Sequence, residues 1–278
     1  MATKEFAMSV SRRQFLGTAP AALAPALWSS SSFQAPGPPT GTAATPGPLA
    51  ATFPTQAPDL AREMVGVSHA NLPRVKELLA LHPTLARASW DWGFGDWEDA
   101  LGAASHVGNR EIADLLIANG ARPTIFSAAM LGELDVVKAF IAAAPGIETT
   151  HGPHSITLLR HATAGGARAQ AVADYLATLP GADKRPATQP ISAEEMTALV
   201  GEYVYGSGAD ERITIAAATS GLTFLRRGRT VRNLVHLGDR VFYPVGATRV
   251  QIRFRSTAVG MMLMVHDPDL VLEAKLLQ

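Results

Sequence analysis

The chain has 278 residues, with 24 Lys plus Arg against 24 Asp plus Glu, and no cysteine. Balanced charge gives no composition-level case for nucleic acid or an anionic membrane as a partner. Without cysteine there is no disulfide, no thiolate metal site and no cysteine nucleophile.

Lys4 is followed by Ser11-Arg12-Arg13-Gln14-Phe15-Leu16-Gly17. This run resembles a twin-arginine export signal, with Arg12, Arg13, Phe15 and Leu16 on the motif. The apolar stretch from Phe15 to Trp28 is broken by Pro20 and Pro25 and is too short for a spanning helix. The resemblance implies a periplasmic or secreted protein with residues 1–28 as the signal segment. Cleavage would fall near Ala22-Leu23-Ala24 or Phe33-Gln34-Ala35, yet a proline follows each, so an uncleaved anchor stays open. Residues 29–58 are rich in Ser, Pro, Gly, Thr and Ala and are expected to form a disordered linker.

Residues 59–182 are written in repeats. Asp99 to Pro123 reads DALGAASHVGNREIADLLIANGARP, and Thr124 to Gly146 reads TIFSAAMLGELDVVKAFIAAAPG. Each copy runs through two small residues, a glycine, an acidic residue and large apolar residues in the same order. The copies resemble ankyrin repeats. In the first, Leu101, Ala104, Gly108, Glu111, Ile112, Leu115, Leu116, Gly120 and Ala121 fall on the family's positions. In the second, Ile125, Ala128, Gly132, Asp135, Val136, Val137, Phe140 and Ile141 do. Weaker copies pass through Asn71, Val75, Leu78 and Leu79, and through Leu159, Ala162, Gly165 or Gly166, Val172, Leu176, Gly181 and Ala182. The family's Thr-Pro-Leu-His start is missing, Asp99-Ala100-Leu101-Gly102 and Ile125 to Ser127 standing in its place. An unrelated array of helical hairpins is the alternative. Either way, a repeat that cannot bury its apolar face alone must stack on a neighbour. Ile112, Leu115 and Leu116, and in the next copy Val136 and Phe140, have the spacing of a buried helix stripe.

The spacing is uneven. Asn71 and Gly108 lie 37 residues apart, Gly108 and Gly132 24, and Gly132 and Gly165 33; the family period is about 33. The short interval predicts a trimmed turn at Arg122-Pro123, and the long one an enlarged finger before Asp99. That finger holds Trp90-Asp91-Trp92-Gly93-Phe94-Gly95-Asp96-Trp97, three of the four tryptophans of the chain. Trp90, Trp92, Phe94 and Trp97 are the candidate partner-binding residues, because exposed aromatic rings dominate interfaces. They could equally fold back to cap the first helical pair.

Residues 183–200 read as a linker and a short helix, with Ser192 as its N-cap and Glu194 and Glu195 in the first turn. From 201 to 278 the pattern becomes strand-like. Val250, Ile252 and Phe254 alternate with Gln251, Arg253 and Arg255, as half-buried strands do. Short strands at even spacing predict an antiparallel sheet, curled or barrel-like. Glu202-Tyr203, Gly221-Leu222 and Leu237 to Phe242 resemble small β-domains appended to bacterial secreted hydrolases and envelope proteins; that likeness carries no catalytic residues. Arg226, Arg227, Arg229, Arg232, Arg249, Arg253 and Arg255 are expected on a solvated outer face. The expected class is therefore α+β multidomain: an α-solenoid of ankyrin-like helical pairs, then a small antiparallel β-domain.

No Gly-x-Ser-x-Gly elbow, phosphate-binding loop or His-Glu-x-x-His occurs. His151-Gly152-Pro153-His154 with His161 is the only local histidine group close enough in sequence to weigh as a metal site, and it is read as a surface finger loop. The sequence thus predicts no catalytic, cofactor or metal residues. It points to a non-catalytic, exported scaffold that binds another protein of the periplasm or cell envelope. The alternative is small-ligand or lipid binding in the β-domain, lined by Phe224, Phe242, Tyr243, Phe254 and Met261 to Met264.

Overall fold

Helix caps fix where each helix of the N-terminal half begins. The computed structural model describes residues 50–219, 221–258, 260–268 and 270–277; Arg12, Arg13, Phe15 and Leu16 lie outside them. Helix α1 (Pro58–Val67) opens on a proline, whose missing N–H costs nothing in the first turn. Asn71 caps α2 (Leu72–Leu81) by accepting the Arg74 amide at 3.1 Å. Asp99 caps α3 (Ala100–His106), and Asn109 caps α4 (Arg110–Ala118) through the Ile112 amide. Thr124 and Ser127 form a capping box on α5 (Ile125–Leu131), which pairs with α6 (Leu134–Ala143). Thr157 caps α7 (Leu158–Ala164), and α8 (Gln170–Ala177) follows.

The helices associate as hairpins, and α3, α5 and α7 lie side by side. Gly108 and Gly132 make the hairpin turns with φ of +75° and +80°. A side chain at Gly108 would meet the carbonyl oxygen of Ala164, and one at Gly132 that of Arg168. Glycine therefore serves twice here, for the left-handed backbone and for close approach to the segment that ends α7 and leads into α8. Ala103, Ala104, Ala128 and Ala129 are buried in the same row.

Ile112 and Leu116 are buried as their spacing suggests, but α6 is turned differently. Val136 and Phe140 are 42% and 38% exposed, while Val137 is buried with Leu134 and Ile141 packed beside it. The helix rests on α5 and α8 through that adjacent stripe, leaving the Val136 and Phe140 face outward.

After α9 (Ala193–Leu199), capped by Ser192, eight antiparallel strands close a barrel. They are β3 (Gly201–Val204), β4 (Arg212–Ala218), β5 (Gly221–Arg226), β6 (Arg232–Gly238), β7 (Val241–Pro244), β8 (Gln251–Thr257), β9 (Gly260–Asp267) and β10 (Leu270–Leu276); β1 and β2 belong to the finger described below. Each pairs with its neighbours in sequence, and β10 closes on β3 through Lys275 opposite Val204 and Leu276 opposite Tyr203. Val250, Ile252 and Phe254 point inward and Arg253 and Arg255 outward, as the alternation predicts. The rings of Tyr203, Phe242 and Phe254 pack edge to face inside, and the Tyr203 hydroxyl donates to the Leu199 carbonyl at 2.8 Å. The interior of this small barrel is thus occupied by side chains. The architecture is α+β, a helical half followed by an antiparallel barrel. Among the described residues no helix is long and apolar enough to cross a membrane.

Candidate functional site

The enlarged finger is a β-hairpin, β1 (Ser89–Asp91) paired with β2 (Trp97–Asp99). Gly93, Phe94 and Gly95 all take positive φ at its tip, and Asp91 accepts the Gly93 amide at 2.8 Å. Side chains alternate across a strand, so Asp96 and Glu98 point one way and Trp97 the other. The result is a division of labour within three residues. Asp96 and Glu98 are buried, and Trp97 is 64% exposed.

Glu98 is the centre of a polar cluster. Its Oε2 accepts the Trp92 indole N–H at 2.7 Å. Its Oε1 lies 2.9 Å from His106 Nε2, 3.4 Å from His154 Nε2 and 3.6 Å from His69 Nε2. His106 ends α3, His69 follows α1, and His154 sits in the long loop before α7 with φ of +58°. Asp96 holds that loop: its Oδ1 accepts the His154 amide and its Oδ2 the His154 Nδ1 hydrogen, both at 2.8 Å. Arg232 of the barrel reaches Asp96 Oδ2 and the Val245 carbonyl with the same Nη2. Gly246 lies against this pair, where a side chain would collide with both Asp96 and Arg232.

Burial pushes the Glu98 carboxyl up, but hydrogen bonds from His106 and His154 and the charge of His154 and His69 outweigh it and leave it at about 2. Burial likewise opposes protonation of His154, and its bonds to Asp96 and Glu98 overcome this, raising it to about 9. Asp96 is lowered, desolvation being outweighed by His154 and Arg232. The cluster is chemically able to hold charge in a site with little water. His69, Glu98, His106 and His154 each offer one ligand atom, all within 4.8 Å of one another, a set that could hold a metal ion.

On the opposite face of β2, Trp97 borders a cleft of about 810 Å³ between the helical half and the barrel. Phe94, Phe126, His151, Thr248 and the exposed Arg249 also line it. The four predicted partner-binding rings divide between two tasks. Trp90 and Trp92 pack against the core of the first helices, and Phe94 packs on Phe224 of the barrel with ring centroids 5.4 Å apart. Trp97 alone of the four is largely exposed.

The histidine group weighed from the sequence is dispersed. His151 bonds to the Lys184 carbonyl at 2.8 Å, and His161 is buried against Phe126 with neither ring nitrogen partnered among the described residues. Only His154 joins the cluster. Arg232, expected on a solvated face, is buried because β6 begins where the barrel meets the finger. His69, Glu98, His106 and Asp96 escaped the sequence reading. No repeat position joins them: His69 and His106 stand 37 residues apart, whereas the equivalent helix caps Asn71 and Asn109 stand 38 apart.

No protein-family model matches the chain, and no curated protein matches it significantly.

Proposed function

We propose that the chain is a non-catalytic binding protein, an exported ankyrin-type scaffold that captures a segment of another periplasmic or envelope protein in the cleft beside the finger. The observation that carries this reading is Trp97, a large aromatic ring left 64% exposed on the lip of a cleft of about 810 Å³. Burying such a ring against a partner gains apolar area at little entropic cost, which is why tryptophan anchors interfaces. Phe126 and Arg249 supply a second apolar wall and a cation on the same cleft. The ankyrin likeness draws support from helical hairpins that turn on Gly108 and Gly132 and stack through buried alanines. Export rests on the Arg12-Arg13 motif.

The test is capture from a periplasmic extract of the native host with the full mature chain as bait. Trp97→Ala should abolish capture while the melting temperature stays unchanged. Undiminished capture by that variant would remove the cleft from the function.

A second reading has one observation in its favour. A hollow of about 600 Å³ on the barrel is bordered by Ile191, Met196, Leu222, Leu234 and Phe242, so it offers an apolar seat for a small ligand. Native mass spectrometry of the purified chain tests it, since a carried ligand appears as added mass.

A further inference from the structure

We propose that His69, Glu98, His106 and His154 form a binding site for one divalent transition-metal ion of the zinc class. Three imidazole Nε2 atoms and one carboxylate oxygen converge from four separate segments of the chain. Four of the six separations are 2.9, 3.4 and 3.6 Å from Glu98 Oε1 to the three nitrogens and 3.1 Å between His69 and His106 Nε2, and all six lie within 4.8 Å. A tetrahedral ion with bonds of about 2.0–2.1 Å has ligand-to-ligand edges of about 3.3–3.4 Å. The observed spacings bracket that value.

The surrounding hydrogen bonds orient the set. His69 Nδ1 lies 3.0 Å from the Gly66 carbonyl oxygen and His154 Nδ1 2.8 Å from Asp96 Oδ2. Both outer partners are acceptors, so each Nδ1 carries its hydrogen and each Nε2 faces inward, where its proton either meets Glu98 or gives way to an ion. Trp92 engages Glu98 Oε2 and leaves Oε1 for the centre. An imidazole ligand backed by a carboxylate or backbone carbonyl is the usual outer support of a metal site. Without an ion, protons on these nitrogens face Glu98 Oε1, and one cation would take their place among all four ligand atoms at once. The donor set of three imidazoles and one carboxylate suits zinc, and also copper and nickel. Four protein ligands complete a tetrahedral shell, which is the closed arrangement of structural sites. Such an ion would pin the start of the array, the finger, α3 and the 150s loop to one another, and its binding free energy would add to folding. The competing account is a network held by protons alone.

The experiment uses the full chain, stripped with chelator, and titrates it with zinc and with cobalt(II). The expected result is one ion per chain at sub-micromolar affinity, a higher melting temperature with zinc, and a visible cobalt band of tetrahedral intensity. His69→Gln and Glu98→Gln, each checked by circular dichroism for an unchanged apo fold, should weaken zinc binding at least about 100-fold. Should either variant fail to fold, imidazole nitrogen shifts in the wild-type chain decide instead: zinc must move the Nε2 resonances of His69, His106 and His154 and leave those of His82 and His151 in place. Absence of stoichiometric binding, binding that survives both substitutions, or shifts at other histidines would overturn the proposal.

Discussion

Asp96 of the finger and Arg232 of the barrel stand 136 residues apart in the chain and form a buried ion pair. Asp96 also holds the 150s loop through both the amide and the ring of His154. One carboxylate therefore joins three parts of the fold. Removing one partner of a buried pair strands the other charge and typically costs about 3–5 kcal/mol. Arg232→Met is expected to lower the unfolding free energy by about that amount in urea titrations. Asp96→Asn combined with Arg232→Met should recover part of the loss, giving a coupling above about 1 kcal/mol in a double-mutant cycle. A coupling near zero would show that the pair is not what ties the barrel to the finger.

Gly108 and Gly132 should be far less replaceable than Gly146. All three have positive φ, but only at the first two would a side chain strike the carbonyl of another segment, while Gly146 faces open space. Gly146→Ala should cost about 1 kcal/mol for the left-handed backbone alone. Gly108→Ala and Gly132→Ala should cost more than about 2 kcal/mol each, because the stacked hairpins must also separate. Equal losses at all three positions in thermal unfolding would contradict the stacking role.

The barrel was legible because its signal is local. Val250, Ile252 and Phe254 alternate with Gln251, Arg253 and Arg255 within one strand, and the burial pattern follows. The hairpin glycines were legible for the same reason. The polar cluster was not, since its members come from positions 69, 98, 106 and 154, and nothing in the neighbourhood of any one of them announces the others. Searching for close sequence neighbours gathered His151 and His161 with His154, whereas the fold sends these two elsewhere. On α6 the failure was one of phase: Val136 and Val137 offer overlapping apolar stripes, and only contact with α5 and α8 selects the one through Val137.

Trp92 and Trp97 should separate stability from binding. Trp92 donates to the buried Glu98 and packs on the first core, while Trp97 is largely exposed. Trp92→Phe keeps most of the ring but removes the donor, and an unsatisfied buried acceptor costs about 1–3 kcal/mol. For a chain of this size that is a fall of roughly 2–4 °C in melting temperature per kcal/mol. Trp97→Ala should stay within about 0.5 kcal/mol of the parent. A large loss of stability in Trp97→Ala, measured by calorimetry, would assign the exposed ring to the fold instead.

His161 should make the protein sensitive to mild acid. The ring is buried with both nitrogens unpartnered among the described residues, and burial together with the nearby His106 lowers it from 6.5 to about 3. A histidine lowered on folding binds a proton in the unfolded chain before it does so in the folded one, so stability falls as pH drops from 6.5 towards 3. Over the interval from pH 6.5 to 5 this single residue contributes a loss of about 2 kcal/mol. In the same interval Glu98 stays essentially ionised in both states, while His154, protonated throughout in the folded chain and half protonated at pH 6.5 in the unfolded one, offsets about 0.4 kcal/mol of that loss. His161→Leu removes the titrating group while keeping the site apolar. The variant's unfolding free energy, measured in urea with chelator present, should therefore decline less between pH 6.5 and 5 than that of the parent. Parallel declines for the two proteins would mean that His161 is already solvated or protonated in the folded chain.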